Sequence, residues 1–228
     1  MRRLHVLPVV ILCALAGCSS GMSGGSAAKT GTGGTSSDYV ALSQTIFMGD
    51  VITQNWPQAA SPATAITITE GAAGDFGKFD SKCVTGCSPS ALQIAAPNNK
   101  RLVILVGEVD ALTLCGGGTD ADFSFNLSTL VGAAQSLFGL EVWIGTVPPI
   151  YSPNNGALTC QTATATINQQ IGAVALASGV RVLDFASVLN SSNDFSAKPP
   201  VQAFGIPYSL PNTVGYAAMT TLYTQDNQ

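Results

Sequence analysis

Apolar residues recur along this chain in two rhythms. Five short stretches are apolar nearly throughout: Thr45-Ile46-Phe47-Met48, Ala65-Ile66-Thr67-Ile68-Thr69, residues 101–106, 141–147 and 181–185. The second alternates as a half-buried strand does; the runs at 101–106 and 141–147 suit central parallel strands covered on both faces. Between these runs the spacing changes to three and four. Leu127, Leu130, Val131, Ala134, Leu137 and Phe138 predict a helix over 127–138. Ile167, Ile171, Val174 and Ala175 predict another over 162–178, stopped by Gly179. A last helix is expected over 211–223, with Pro211 in its first turn. Strands alternating with helices predict an α/β three-layer sandwich around a five-stranded parallel sheet. Ligand sites in such sheets lie beyond the carboxyl ends of the strands. That rule singles out residues 49–53, 71–75, 107–115 and 148–160, the last two being neighbouring loops at that edge.

The first seventeen residues follow neither rhythm. Arg2 and Arg3 precede a mostly apolar run over 4–15, and Leu15-Ala16-Gly17-Cys18 closes the segment. A membrane-spanning helix needs about 20 apolar residues; this run is shorter and suits a signal peptide. Its end resembles the lipobox of bacterial lipoproteins. The resemblance implies cleavage before Cys18, lipidation of that cysteine and attachment to a membrane, since two or more acyl chains anchor stably. Ser19 after the cysteine implies the outer membrane, in the cell envelope. Residues 19–37 are Gly, Ser, Thr and Ala with a single Lys29, too poor in large apolar groups to offset the entropy of ordering. The expected organisation is therefore a signal peptide over 1–17, a lipidated cysteine and linker over 18–37, and one domain over 38–228.

Charged residues make up only 10% of the chain, against about 25% in ordinary domains. Hydroxyl and amide side chains must then cover much of the surface. Without Arg2 and Arg3, seven basic and thirteen acidic residues remain, a net charge of −6. That field disfavours nucleic acid as a partner. Of six cysteines, Cys13 leaves with the signal and Cys18 carries lipid. Cys83, Cys87, Cys115 and Cys160 remain, an even number that suits disulfides in an oxidising compartment. Three pairings are open. The adjacency of the 107–115 and 148–160 loops favours Cys115 with Cys160, and so Cys83 with Cys87. No metal or cofactor is expected.

Four segments in order resemble the SGNH (GDSL-type) hydrolase family: Ile46-Phe47-Met48-Gly49-Asp50-Val51, Val103-Ile104-Leu105-Val106-Gly107-Glu108-Val109-Asp110, Gly145-Thr146-Val147-Pro148-Pro149-Ile150, and Ser209-Leu210-Pro211-Asn212-Thr213-Val214-Gly215-Tyr216. The resemblance implies that family's flavodoxin-like sandwich and an ester-hydrolase ancestry. It also implies an oxyanion-hole glycine after the second strand, for which Gly74 is preferred over Gly86. The departures fall on the chemistry. Val51 stands at the family's nucleophile position, Val109 at the oxyanion asparagine, Leu210 at the histidine and Pro207 at the aspartate. The chain's one histidine is His5, inside the signal peptide. A serine is normally activated by a base whose pKa lies near the working pH, and the processed chain has no imidazole to serve. Two functions follow. One is a non-catalytic envelope protein binding a small ligand or protein partner in an apolar pocket. The other is a hydrolase, esterase or carbohydrate-active, whose strand-end carboxylates Asp50, Glu108 and Asp110, with Asp120 and Asp122 nearby, replace the triad. A Ser–Lys hydrolase is disfavoured, because Lys29, Lys78, Lys82, Lys100 and Lys198 lie in no strand-end motif. For Asp50 and Asp110 the structural reading, tying loops through amide bonds, is preferred; Glu108 has no evident structural task.

Overall fold

The structure is a computed structural model, and it describes residues 40, 42–56, 65–67, 92, 95–120, 122–152, 154, 157–196, 201–203 and 206–227. Five parallel strands form one sheet: β1 (Thr45–Gly49), β2 (Ala65–Thr67), β3 (Arg101–Leu105), β4 (Glu141–Gly145) and β7 (Arg181–Leu183). Their order is β2-β1-β3-β4-β7. Strands β1 and β3 are buried along their whole length, as continuous apolar sequence requires. Alternate residues serve opposite faces. Ile46, Met48, Leu102, Ile104, Val142 and Ile144 share one core with helices α2 (Glu108–Cys115), α3 (Phe123–Phe138) and α4 (Gln161–Ser178). Phe47, Val103, Leu105, Trp143 and Leu183 share the other with α1 (Val51–Asn55), α5 (Phe185–Val188) and α6 (Thr213–Asp226). Helices on both faces of a parallel sheet make the expected three-layer sandwich. Two antiparallel hairpins complete it: β5 (Ile150–Ser152) with β6 (Ala157–Thr159), and β8 (Val201–Ala203) with β9 (Ile206–Tyr208).

Several boundaries differ from the sequence expectation, each for a local reason. Residues 107–115, expected as a loop, are a left-handed glycine followed by the eight-residue helix α2; a run this short carries little periodicity. The 148–160 segment is a hairpin rather than a plain loop. The fifth strand stops at Leu183 because the Asp184 carboxylate accepts from Ser187 N at 3.3 Å and starts α5. The fourth stops at Gly145. Beyond it, Val147 N donates to Asn168 Oδ1 (2.8 Å) and Val147 O accepts from Asn168 Nδ2 (3.0 Å), so an α4 side chain takes the place of a neighbouring strand. The last helix begins after Asn212, not at Pro211: Asn212 Oδ1 accepts from Val214 N and Gly215 N at 2.8 and 3.1 Å, satisfying amides that the first turn leaves without partners. The third helix starts at Phe123, four residues early. Ile68 and Thr69 of the second strand lie outside the described residues.

Cys115 and Cys160 form a disulfide joining the end of α2 to the start of α4. It closes a loop of 45 residues, which the chain-entropy estimate values at about 4 kcal/mol. Cys83 and Cys87 lie outside the described residues, as do Cys18 and the rest of the expected signal and linker. Among the described residues no helix is long and apolar enough to cross a membrane.

At the amino ends of the strands sits a buried cation. Arg101 is fully buried, stacks 3.7 Å above the Trp143 ring, pairs with Glu141 at 2.8 Å and donates to Asn227 Oδ1. Asn227 in turn exchanges two bonds with the backbone of Val40, at 3.2 and 2.9 Å. Glu141 is nearly half exposed and can be rehydrated, so Arg101→Ala should destabilise the domain by about 1.5–3 kcal/mol, the worth of charged hydrogen bonds; the shift in urea midpoint at constant slope measures it.

Candidate functional site

The carboxyl end of β1 is built around a close approach. A Cβ on Gly49 would lie 2.0 Å from Thr53 Oγ1 and 2.1 Å from Leu105 O, so only glycine lets the chain turn there. Asp50 follows, its N–H donating to Leu105 O at 3.3 Å and its carboxylate capping α1 through Ile52 N at 3.1 Å. The Thr53 and Glu108 amides also point at this carboxylate. Asp50 thus ties the exits of β1 and β3 together, the structural role preferred from sequence. Gly107 makes the matching exit from β3 with φ +107, where a side chain would press on Ile167, Val147 and Phe123.

Glu108 is the first residue of α2, and only 3% of it is exposed. Its Oε2 has no hydrogen-bond partner. Burial, and then the charge of Asp50, hold its carboxyl well above the usual range. Burial likewise pushes Asp50 up to about 7, against the opposing pull of its amide bonds. Glu108 is buried and Asp50 half-buried, and the two carboxyls sit close enough for each to make the other ionise reluctantly. Two tyrosines complete the cluster. Tyr216, from α6, donates its hydroxyl to Ile52 O at 3.2 Å, and Tyr208, from β9, is 2% exposed. Burial, followed by the charges of Glu108 and Asp50, pushes both phenols up. Sequence reasoning missed Tyr208 altogether and read Tyr216 only as part of a turn; nothing in the local pattern places the 206–208 strand over Glu108.

Val51 opens α1, half-buried and packed against the core that α2, α3 and α4 cover. Val109 is half-buried in the first turn of α2. Pro207 lies in β9 opposite Gln202. Leu210 touches both cores. Asp110 is buried in the first turn of α2, where the helix dipole favours negative charge. Asp120 accepts from Gln170 on α4, and Asp122 is exposed at the start of α3. Gly74 and Gly86 lie outside the described residues. Among the described residues no group of three or more His, Cys, Asp and Glu side chains is placed to hold a metal ion.

A groove of about 920 Å³ runs beside α6. Leu210, Pro211, Tyr216 and Ala217 give its apolar walls, and Asn55 and Thr220 contribute to its polar rim. No charged side chain lines it among the described residues. Tyr216 connects it to the carboxyl pair: the ring lines the groove, while the hydroxyl reaches Ile52 beside Asp50.

The domain has the fold of the GDSL/SGNH hydrolases. It is similar to a GDSL-like lipase from Bacteroides thetaiotaomicron, at 16% identity and a TM-score of 0.57, over 82% of this chain and 88% of that one. It is also similar to a lipase/acylhydrolase from Enterococcus faecalis, at 20% identity and a TM-score of 0.51, over 80% of this chain and 94% of that one. At these identities the likeness is one of fold. The sequence matches no family model and no curated protein sequence.

The carboxyl pair has a consequence for stability. An unfolded chain ionises these groups near pH 4. The folded chain keeps its protons to higher pH, so between about pH 4 and pH 7 the folded state binds more protons and stability falls as pH rises. Glu108→Gln should flatten that decline and raise the thermal midpoint at neutral pH. Each kcal/mol recovered corresponds to about 2–4 °C for a domain of this size. A pH series of melting curves on both proteins tests this; a Glu108→Gln protein less stable than the parent at pH 7 contradicts it.

Proposed function

We propose that this hydrolase-fold domain is a lipid-anchored envelope protein that binds an uncharged ligand without hydrolysing esters. The observation that carries the reading is the groove beside α6. It reaches Leu210, the residue at the family's histidine position, and its described walls hold no charged group. The other positions support the same reading. Val51 packs into the core, Val109 cannot donate a hydrogen bond from its side chain, and Pro207 is held in a hairpin. A side chain that neither accepts nor donates protons cannot take part in acyl transfer. What remains at the strand exits, Gly49, Asp50 and Gly107, holds loops in place.

The occupant that suits this groove has an apolar portion against Leu210, Pro211 and Ala217 and neutral hydroxyl or carbonyl groups toward the rim. A volume of about 920 Å³ is within the range of small-molecule sites, about 300–1,000 Å³. A neutral acyl compound has that chemistry. The anchor at Cys18 and the linker over 19–37 would hold the domain at a membrane, with the outer membrane implied by Ser19.

The alternative, acid–base catalysis by strand-end carboxylates, draws on one observation: Glu108 Oε2 is buried without a partner. Against it, Asp50 is already engaged by backbone amides, and Glu108 is 3% exposed. Glycosidase carboxyls instead flank an open cleft.

The test uses the purified mature protein. It should leave p-nitrophenyl butyrate unhydrolysed, bind a neutral monoacylglycerol in a calorimetric titration, and lose about tenfold or more in affinity on Leu210→Trp, equivalent to about 1.4 kcal/mol. Ester hydrolysis abolished by Glu108→Gln would transfer the function to the carboxyl pair and sink the binding proposal.

A further inference from the structure

The Cys115–Cys160 bond differs electronically at its two ends. Cys115 is the last residue of α2, where carbonyl groups point outward and disfavour negative charge. Cys160 precedes α4, an 18-residue helix, and occupies its N-cap without making a side-chain cap. The amides of that first turn have no side-chain acceptor at the cap, and a thiolate there would meet them. Thr159 Oγ1 lies 3.8 Å from Cys160 Sγ as a second donor. Cys160 is also the one non-glycine residue with positive φ among those described, at +55°.

Access is asymmetric in the same sense. Cys115 is exposed and Cys160 half-buried. Both line a cavity of about 510 Å³, with Leu114, Gln161, Thr162 and Thr166 as neighbours. Its described walls carry no charge, and its volume suits a small molecule.

We propose that this disulfide is an exchange site for a low-molecular-weight thiol, which is captured as a mixed disulfide on Cys115. In the step, the incoming thiolate attacks Cys115 Sγ. A new S–S bond forms there, the Cys115–Cys160 bond breaks, and its electron pair leaves on Cys160 Sγ as a thiolate held at the α4 N-terminus. A second thiol molecule attacking the mixed disulfide frees Cys115 and leaves as its own disulfide, so two thiols are oxidised for the one protein bond reduced. Exchange is faster when the leaving sulfur is the more acidic thiol, which selects Cys160 to leave and Cys115 to be attacked.

Native mature protein incubated with millimolar reduced glutathione, quenched with an alkylating agent and mapped by peptide mass spectrometry provides the test. Mapping also separates these cysteines from Cys83 and Cys87. The expected result is a glutathione adduct on Cys115 exceeding that on Cys160 by about tenfold, with the circular dichroism of the folded protein retained. Thr159→Val should slow capture about two- to fivefold by removing one donor to the departing sulfur, without changing which cysteine is labelled. A bond that opens only in denaturant overturns the proposal, as does labelling shared equally by the two cysteines or favouring Cys160.

Discussion

The close contact between β1 and β3 at their carboxyl ends governs the arrangement of everything above the sheet. Gly49 has no room for a side chain against Thr53 and Leu105 O, and the next N–H bonds that same carbonyl. This fixes Asp50 over the gap between the two strands. From there its carboxylate organises amides of α1 and α2 at once. Val51 and Val109 sit at the starts of these same two helices. The glycines and Asp50 hold the strand exits without help from either valine side chain. A shared fold does not by itself carry a shared function.

Glu108 is the residue that folding does not explain. A buried acid without a partner costs stability, and Glu108 lies within electrostatic reach of a second acid and two phenols. Hydrogen-bonded amides around Asp50 offset its share; nothing comparable serves Glu108 Oε2. Unexplained buried ionisable groups concentrate at functional sites. Tyr216 links the carboxyl pair to the groove: it lines the groove and bonds Ile52, whose amide bonds Asp50.

Much of this was legible in the sequence, and the failures have physical causes. Continuous apolar runs at 45–48, 101–106 and 141–147 marked strands buried on both faces, and β1, β3 and β4 lie there. The long helices α3 and α4 announced themselves through apolar spacing, because each must cover the sheet with one face. Helix α2 did not: eight residues give barely two turns, and Glu108 and Asp110 in its first turn read as loop polarity. Asn212 was hidden as a cap beside Pro211, a residue that itself signals a helix start. At the site, Asp50 and Glu108 were visible because each ends or follows a strand. Tyr208 was not, since a hairpin pairing Val201 with Tyr208 brings it to Glu108 from far along the chain.

The clasp among Val40, Asn227 and Arg101 joins the first and last described residues at the amino-terminal edge of the sheet. A polypeptide tugged from its N-terminal side would transmit that force first into Asn227 and then into the arginine stacked on Trp143, at the base of the central strand. The load would thus enter opposite the edge where the Gly49 turn, the acid pair and Tyr216 lie. Asn227 directly follows α6, whose Tyr216, Ala217 and Thr220 line the groove, so a load entering the clasp would reach the groove wall along a single helix.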